Sequence, residues 1–101
     1  MTPADLSAAI LRIVSMLQGQ GRLPALELPA EVVIERPKNR EHGDWATNVA
    51  MQMAGKFGMK PRDFAELLAA ELGNEYGIAK VDIAGPGFIN ITLSAAAAGE
   101  L

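Results

Sequence analysis

The stretch IAKVDIA-GPG-FINITL, residues 78–93, decides the fold of this chain. Two runs rich in β-branched residues flank a Gly-Pro-Gly turn, which predicts two antiparallel strands, Ile78–Ala84 and Phe88–Leu93, joined as a hairpin. Side chains alternate along a strand, so the second strand has an aliphatic face and a mixed face. The aliphatic face is formed by Ile89, Ile91 and Leu93, and the mixed face by Phe88, Asn90 and Thr92. The aliphatic face must cover a core, which leaves the mixed face outside.

Upstream of the hairpin, apolar residues recur at helical spacing in three segments. The first helix follows Thr2 as its N-cap, the second begins at Asp44 as its N-cap, and the third begins at Pro61 and ends before Gly73. A short β-branched run, residues 32–34, predicts a strand that ends before Pro37. We therefore expect an α+β fold of order α-β-α-α-β-β: a small, mainly antiparallel sheet with about three helices on one face.

The length of 101 residues predicts one domain, residues 1–94, and the alanine-rich residues 95–101 resemble the start of a connector. The chain has no Cys and one His, which argues against disulfides, thiol catalysis and a metal site. It also lacks a long apolar run and a signal peptide, so we expect a cytoplasmic protein with no membrane contact.

Charge is distributed unevenly although the net charge is only −3. Residues 36–62 hold six basic and two acidic residues, or +4, whereas the remainder holds three basic and ten acidic residues, or −7. A basic region on an acidic chain favours a local RNA contact over DNA binding across the whole surface. Ordinary solvated helix faces explain the same distribution equally well.

The mixed face of the second hairpin strand is the first candidate binding site. An aromatic ring at Phe88 beside an amide at Asn90 offers stacking and base-edge hydrogen bonds, which single-stranded RNA recognition requires. The alternative is that Phe88 folds over the end of the hairpin and fills a small cluster with Pro86 or Trp45.

A second candidate is the run RPKNREHGDWATN, residues 36–48. Arg36, Lys38 and Arg40 alternate as a phosphate-binding arm would, although a solvated turn fits as well. His42 has no nucleophile in a suitable context, so catalysis by this residue is not expected. Gly43 is expected to let the backbone turn sharply into the following helix.

These two runs together resemble the N-terminal domain of the arginyl-tRNA synthetase family. The similarity is carried by the H-G-D-W-A-T-N segment from His42 to Asn48 and, about forty positions later, by A-G-P-G-F-I-N from Ala84 to Asn90. It covers almost the whole chain, and the pairing of both motifs is far more specific than either alone. In this family Trp45 is often replaced by Tyr.

The resemblance implies that this domain contacts the D-loop at the elbow of tRNA(Arg) through the positions of Phe88, Asn90 and Gly85. Gly85 supplies only backbone here, whereas some family members carry a polar side chain at that position. The resemblance further implies a following class I catalytic domain that uses ATP and Mg²⁺ to join arginine to its tRNA. The family's catalytic motifs are missing from these 101 residues, so this segment alone is not expected to be an enzyme and needs no cofactor.

Two other interpretations remain open. The run from Arg36 to Asn48 could instead be an intramolecular docking surface, which would make the domain a structural spacer that braces the catalytic domain. A stand-alone RNA-binding module is the third possibility.

Overall fold

A computed structural model of the chain describes residues 2–37 and 43–94. The predicted element order is confirmed: three helices and three strands follow one another as α-β-α-α-β-β. The helices are α1 (Pro3–Gly19), α2 (Val49–Met53) and α3 (Pro61–Leu72), and the strands are β1 (Trp45–Thr47), β2 (Ile78–Ala84) and β3 (Phe88–Leu93). Residues 38–42, which include Lys38, Arg40 and His42, and the proposed connector 95–101 lie outside the described residues.

The sheet is antiparallel throughout, with strand order β1-β3-β2. The hairpin has the predicted bounds, and Gly85, Pro86 and Gly87 form its turn. Its register pairs Ala84 with Phe88 at the turn and Ile78 with Leu93 at the open end, with an irregularity between Ile78 and Lys80. Because β3 is the central strand, both of its edges are hydrogen-bonded and its position is fixed from two sides.

Helices cover one face of this sheet. Helices α2 and α3 pack against the strands, and α1 packs against α3. Ile89 and Ile91 of β3 are fully buried under the helices, and Phe57 and Phe64 meet edge to face with ring centroids 5.3 Å apart. Each fully buried aliphatic side chain contributes about 1.5–3 kcal/mol. The core therefore lies between the helices and the aliphatic side of the hairpin, as the alternation predicted.

The two long helices begin where their sequence signals predict. At the start of α1, the Thr2 hydroxyl accepts from the Asp5 amide at 3.1 Å, and the Asp5 carboxylate accepts from the Thr2 amide at 2.8 Å. This is a reciprocal capping box, which satisfies two otherwise unpaired amides. Helix α3 begins at Pro61, whose missing N–H costs nothing in the first turn.

The prediction of a helix starting at Asp44 was wrong. Trp45–Thr47 is strand β1, and α2 begins only at Val49, after Asn48. The Asp44 amide donates to the Ile91 carbonyl at 2.8 Å, and the Asp44 carboxylate accepts from the Leu93 amide at 2.8 Å. Asp44 thus secures the edge of β3 instead of capping a helix.

The predicted strand at residues 32–34 was also wrong, although this segment lies beside the sheet. Its neighbour Glu35 forms a single bridge with Ala46 through backbone hydrogen bonds of 2.8 and 2.7 Å. The Val32 amide donates to the buried Ser7 hydroxyl at 2.7 Å, and the Thr47 hydroxyl donates to the Val33 carbonyl at 2.9 Å. Side chains satisfy much of this backbone, so no continuous ladder forms.

Candidate nucleic-acid interface

The side of the sheet opposite the helices carries the predicted Phe88 and Asn90 pair. We call this surface the outer face, and it is formed by the two strands of the hairpin together with Ala46 of β1, which lies opposite Asn90 on the other edge of β3. Its members are Phe88, Asn90 and Thr92 of β3 with their cross-strand partners Ala84, Asp82 and Lys80 of β2. Directly opposed residues in an antiparallel pair project to the same side, with Cβ atoms about 4.5–5.5 Å apart. Three rows of side chains thus run from the turn to the open end.

Phe88 occupies the row next to the turn. Its side chain is 42% exposed, and it is not among the described residues that pack against the core. The ring lies beside the turn, since a Cβ built on Gly85 would be 3.9 Å from its Cδ2 atom. The opposed residue is Ala84, whose small side chain leaves the ring uncrowded from that side. An aromatic surface of this kind is available for stacking.

Asn90 lies in the middle row and is much less exposed than Phe88. The residue is only 8% exposed, yet the described part of the chain, residues 2–37 and 43–94, shows no hydrogen bond to its side-chain amide. No fully buried side-chain nitrogen or oxygen among these residues lacks a partner, so the amide atoms of Asn90 still reach solvent. A buried stem with an unpaired amide at the surface is a preorganised hydrogen-bonding group.

Helix α3 fixes the tip of the hairpin from behind. Gly87 is buried with φ +153°, and a Cβ at this position would be 3.1 Å from the Pro61 Cβ. Arg62 Nη1 donates to the Gly85 carbonyl at 3.3 Å. The Gly85 carbonyl is therefore already hydrogen-bonded to Arg62. Arg62 also places a guanidinium behind the Phe88 end, a contribution that sequence reasoning missed because it depends on how α3 docks.

Arg36 lies elsewhere. Its guanidinium carbon is 5.0 Å from the centre of the Trp45 ring, a cation–π geometry. Trp45 pairs with Ile91, which faces the core, and its own side chain packs partly against the core. Arg36 and Trp45 consequently lie on the other side of the sheet from Phe88 and Asn90. The two predicted halves of the RNA-contacting surface are not brought together by the described residues.

Gly43 and Asn48 flank β1 and serve the backbone. Gly43 has φ +113°, and a Cβ there would lie 2.8 Å from the Ile91 carbonyl oxygen. The expected sharp turn is therefore present, but it leads into a strand and not into a helix. Asn48 is the N-cap of α2 without a side-chain capping bond, and the Thr47 hydroxyl accepts from the Val49 amide at 3.2 Å instead.

The described residues contain no group of three or more His, Cys, Asp or Glu side chains that could hold a metal ion. None of the helices in this part of the chain is both long enough and apolar enough to cross a membrane.

Comparison with known proteins decides the family. Residues 4–93 match the family described as the arginyl tRNA synthetase N terminal domain. The chain belongs to this family. It is 56% identical over its full length to the arginine–tRNA ligase of Kineococcus radiotolerans and 53% identical to that of Micrococcus luteus, and it spans 19% of each.

Solved structures share the fold of this N-terminal domain. The arginyl-tRNA synthetase of Plasmodium falciparum superposes with a TM-score of 0.72 at 15% identity, covering 91% of this chain and 16% of that protein. The Thermus thermophilus arginyl-tRNA synthetase gives a TM-score of 0.68 at 20% identity, covering 96% of this chain and 15% of that protein. At these identities the likeness concerns the fold alone.

Proposed function

We propose that this domain binds the D-loop at the elbow of tRNA(Arg) and holds the tRNA for arginylation by a class I catalytic domain. The observation that carries the proposal is the outer face, where the exposed Phe88 ring adjoins the unpaired Asn90 amide. The ring can stack on an unpaired base while the amide binds the edge of that base. Membership of the N-terminal domain family supplies the tRNA as partner.

The contribution of the domain is positioning. The complete ligase would use ATP, with Mg²⁺, to join arginine to tRNA in the cytoplasm, and this chain spans 19% of relatives that carry the ligase name. Holding the elbow restricts the orientations of the acceptor end, which raises the effective concentration of the reacting groups. No bond-making step is assigned to residues of this domain.

The basic residues have different places in this proposal. Arg36 is engaged with Trp45, so a phosphate contact from it would be made at the edge of the sheet while the ring keeps the guanidinium in place. Arg62 donates to the Gly85 carbonyl in the turn that precedes Phe88, so it would meet a phosphate at the turn end of the outer face. Lys38 and Arg40 stay predicted phosphate contacts outside the described residues. Such contacts add affinity without base selection.

The Arg36 and Trp45 contact also favours the second candidate function, a spacer that braces the catalytic domain. A guanidinium stacked on a half-buried indole is a firm surface feature, and it suits a permanent protein interface as well as a phosphate. In that case the outer face would play no part in tRNA binding.

Replacing Phe88 by Ala in the complete polypeptide that carries this domain separates the two functions. Loss of one stacked base costs about 1–3 kcal/mol, so the Kd for tRNA(Arg) should rise about 5- to 150-fold. The measurement is a binding titration by fluorescence anisotropy together with kcat/KM for arginylation.

Tyr76 offers a matched control for this test. It is 76% exposed and precedes β2 at the end of the hairpin opposite the turn, so Tyr76→Ala removes a solvent-facing aromatic ring far from Phe88. Both variants should unfold at the temperature of the parent within a few degrees. Equal tRNA affinity of the two variants would refute the D-loop proposal and leave the spacer.

A further inference from the structure

The register of the hairpin brings a second polar group to the base-binding part of the outer face, beside the Asn90 amide. Asp82 on β2 is the direct partner of Asn90 on β3, and Lys80 is the partner of Thr92 one row further from the turn. The Asp82 carboxylate is 51% exposed and lies 3.2 Å from the Lys80 ammonium, which is 64% exposed. Asp82 and Asn90 are therefore direct neighbours on the outer face, next to the row that holds Phe88.

Asn90 indicates that this spot receives a ligand. The residue as a whole is more than nine-tenths buried. Its side-chain amide is unpaired within residues 2–37 and 43–94 and projects on the same side as Asp82. No hydrogen bond joins the Asn90 amide to the Asp82 carboxylate within the described residues. The amide can therefore bind a molecule that stacks on Phe88, and the carboxylate, whose Oδ2 is paired with Lys80, keeps its second oxygen as an acceptor.

The combined hydrogen-bonding pattern restricts which bases fit. An ionised carboxylate only accepts, whereas an amide both donates and accepts. Asn90 thus offers an NH2 donor and a carbonyl acceptor, and Asp82 offers a carboxylate acceptor. This set suits a base edge that presents an exocyclic amino group next to an acceptor, as adenine, cytosine and guanine do. Uracil has no amino group, and its one ring donor, N3–H, lies between two carbonyl oxygens that would repel the carboxylate.

We propose that Asp82 is a specificity-determining residue of this domain. Its carboxylate accepts a hydrogen bond from the exocyclic amino group of the D-loop base that stacks on Phe88, while Asn90 binds the adjacent positions of the same edge. Lys80 neutralises the carboxylate and so offsets its repulsion of the nearby phosphates. This inference rests on the proposed D-loop function and adds the residue that would discriminate against uracil.

The competing explanation is an ordinary surface ion pair. Exposed pairs such as Lys80 and Asp82 contribute little to stability, and an acid on an RNA-facing surface weakens binding through repulsion. Removing the acid would then strengthen tRNA binding. Our proposal predicts the opposite sign, because a base-edge contact is lost, and this difference makes the two explanations separable.

The experiment compares three variants of the complete polypeptide: Asp82→Ala, Asp82→Asn and the control Glu66→Ala. The control removes one exposed acid from the helical layer. Each tRNA(Arg) probe carries, at one unpaired D-loop position, either the natural base or an analogue that lacks only the amino group of that base. We expect Asp82→Ala to raise the Kd about tenfold for the natural base at one position. Asp82→Asn, which keeps one acceptor, should raise it less.

With the amino group deleted from the tRNA, Asp82→Ala should change the Kd by less than about twofold, since the bond is already absent. Glu66→Ala should leave tRNA affinity at or slightly above that of the parent. Unchanged or tighter binding of the natural tRNA by Asp82→Ala, in a protein where Phe88→Ala weakens binding, would overturn this inference and leave the D-loop function intact. Full affinity of Phe88→Ala would refute both.

Discussion

Among Gly→Ala substitutions at the described loop glycines, Gly43→Ala should destabilise the domain most. The residue has φ +113°, a conformation that costs an L-residue about 1–3 kcal/mol. The added Cβ would also lie 2.8 Å from the Ile91 carbonyl oxygen and 3.0 Å from its carbon, on the backbone of the central strand. Backbone atoms of a doubly paired strand cannot move aside independently.

Relief of this contact requires Gly43 and Asp44 to shift away from β3. That shift lengthens the 2.8 Å hydrogen bond from the Asp44 amide to Ile91, and one backbone hydrogen bond contributes about 0.5–1.5 kcal/mol. With the conformational strain, we expect the free energy of unfolding to fall by about 2–4 kcal/mol. For a domain of this size the urea midpoint should drop by about 1–2 M at an unchanged m-value.

Two other glycines separate the contributions. Gly21 has φ +76°, and a Cβ added there would have no neighbour within 4 Å, so Gly21→Ala reports conformational strain alone. Gly55 has neither a positive φ nor a close neighbour, and Gly55→Ala should be neutral or stabilising by up to about 1 kcal/mol. If urea unfolding shows equal losses for Gly43→Ala and Gly21→Ala, the close approach to β3 plays no part and the reasoning fails.

Two further substitutions test the capping box and the buried Thr47. Hydrogen bonds from the backbone and hydroxyl of Thr2 lower the pKa of Asp5 below its ordinary value of 3.8. Their stabilisation is therefore present above pH 3.8 and is lost as the pH falls through the lowered pKa. Urea titrations from neutral to acid pH should show the difference in stability between the parent and Asp5→Asn becoming smaller. Thr47→Val removes the 2.9 Å bond to the Val33 carbonyl from a side chain that is 2% exposed, and it should lower the free energy of unfolding by about 1–3 kcal/mol. Thr92→Val on the outer face is its control, expected within about 0.5 kcal/mol of the parent in the same urea assay, and an equal loss would contradict the assignment.

Local signals were enough to predict the hairpin and the two long helices. A Gly-Pro-Gly turn between two β-branched runs and a capping sequence before a periodic apolar stripe act within a few residues, so they can be recognised without knowledge of the rest of the fold. The bounds of β2, β3 and α3 agree with prediction for this reason.

Strand β1 could not be predicted in the same way. Three residues, Trp45–Thr47, are too few for an alternation to be recognised, and Asp44 has the composition of a helix N-cap. What makes these residues a strand is the free edge of β3, where the Asp44 amide donates to the Ile91 carbonyl and Ala46 lies opposite Asn90 in the register. A contact across more than forty residues outweighed the local preference.

The candidate site was predictable in part. Alternation along β3 placed Phe88 and Asn90 on one face, and the structure shows that this face is opposite the helices. The Asp82 and Asn90 pairing could also have been inferred, because the two residues are equally far from Pro86 at the centre of the turn. The support from Arg62 and Pro61 required the packing of α3, which no pattern within the hairpin contains.

The division of the sheet into two faces determines how the proposed function can be tested. Ile89 and Ile91 hold the hairpin against the helices, whereas Phe88, Asn90 and Asp82 project from the same two strands in the other direction. Substitutions on the outer face therefore remove little of the buried apolar area that stabilises the fold. A loss of tRNA affinity in these variants can be assigned to the missing contact, because the strand that positions it remains held by its buried neighbours.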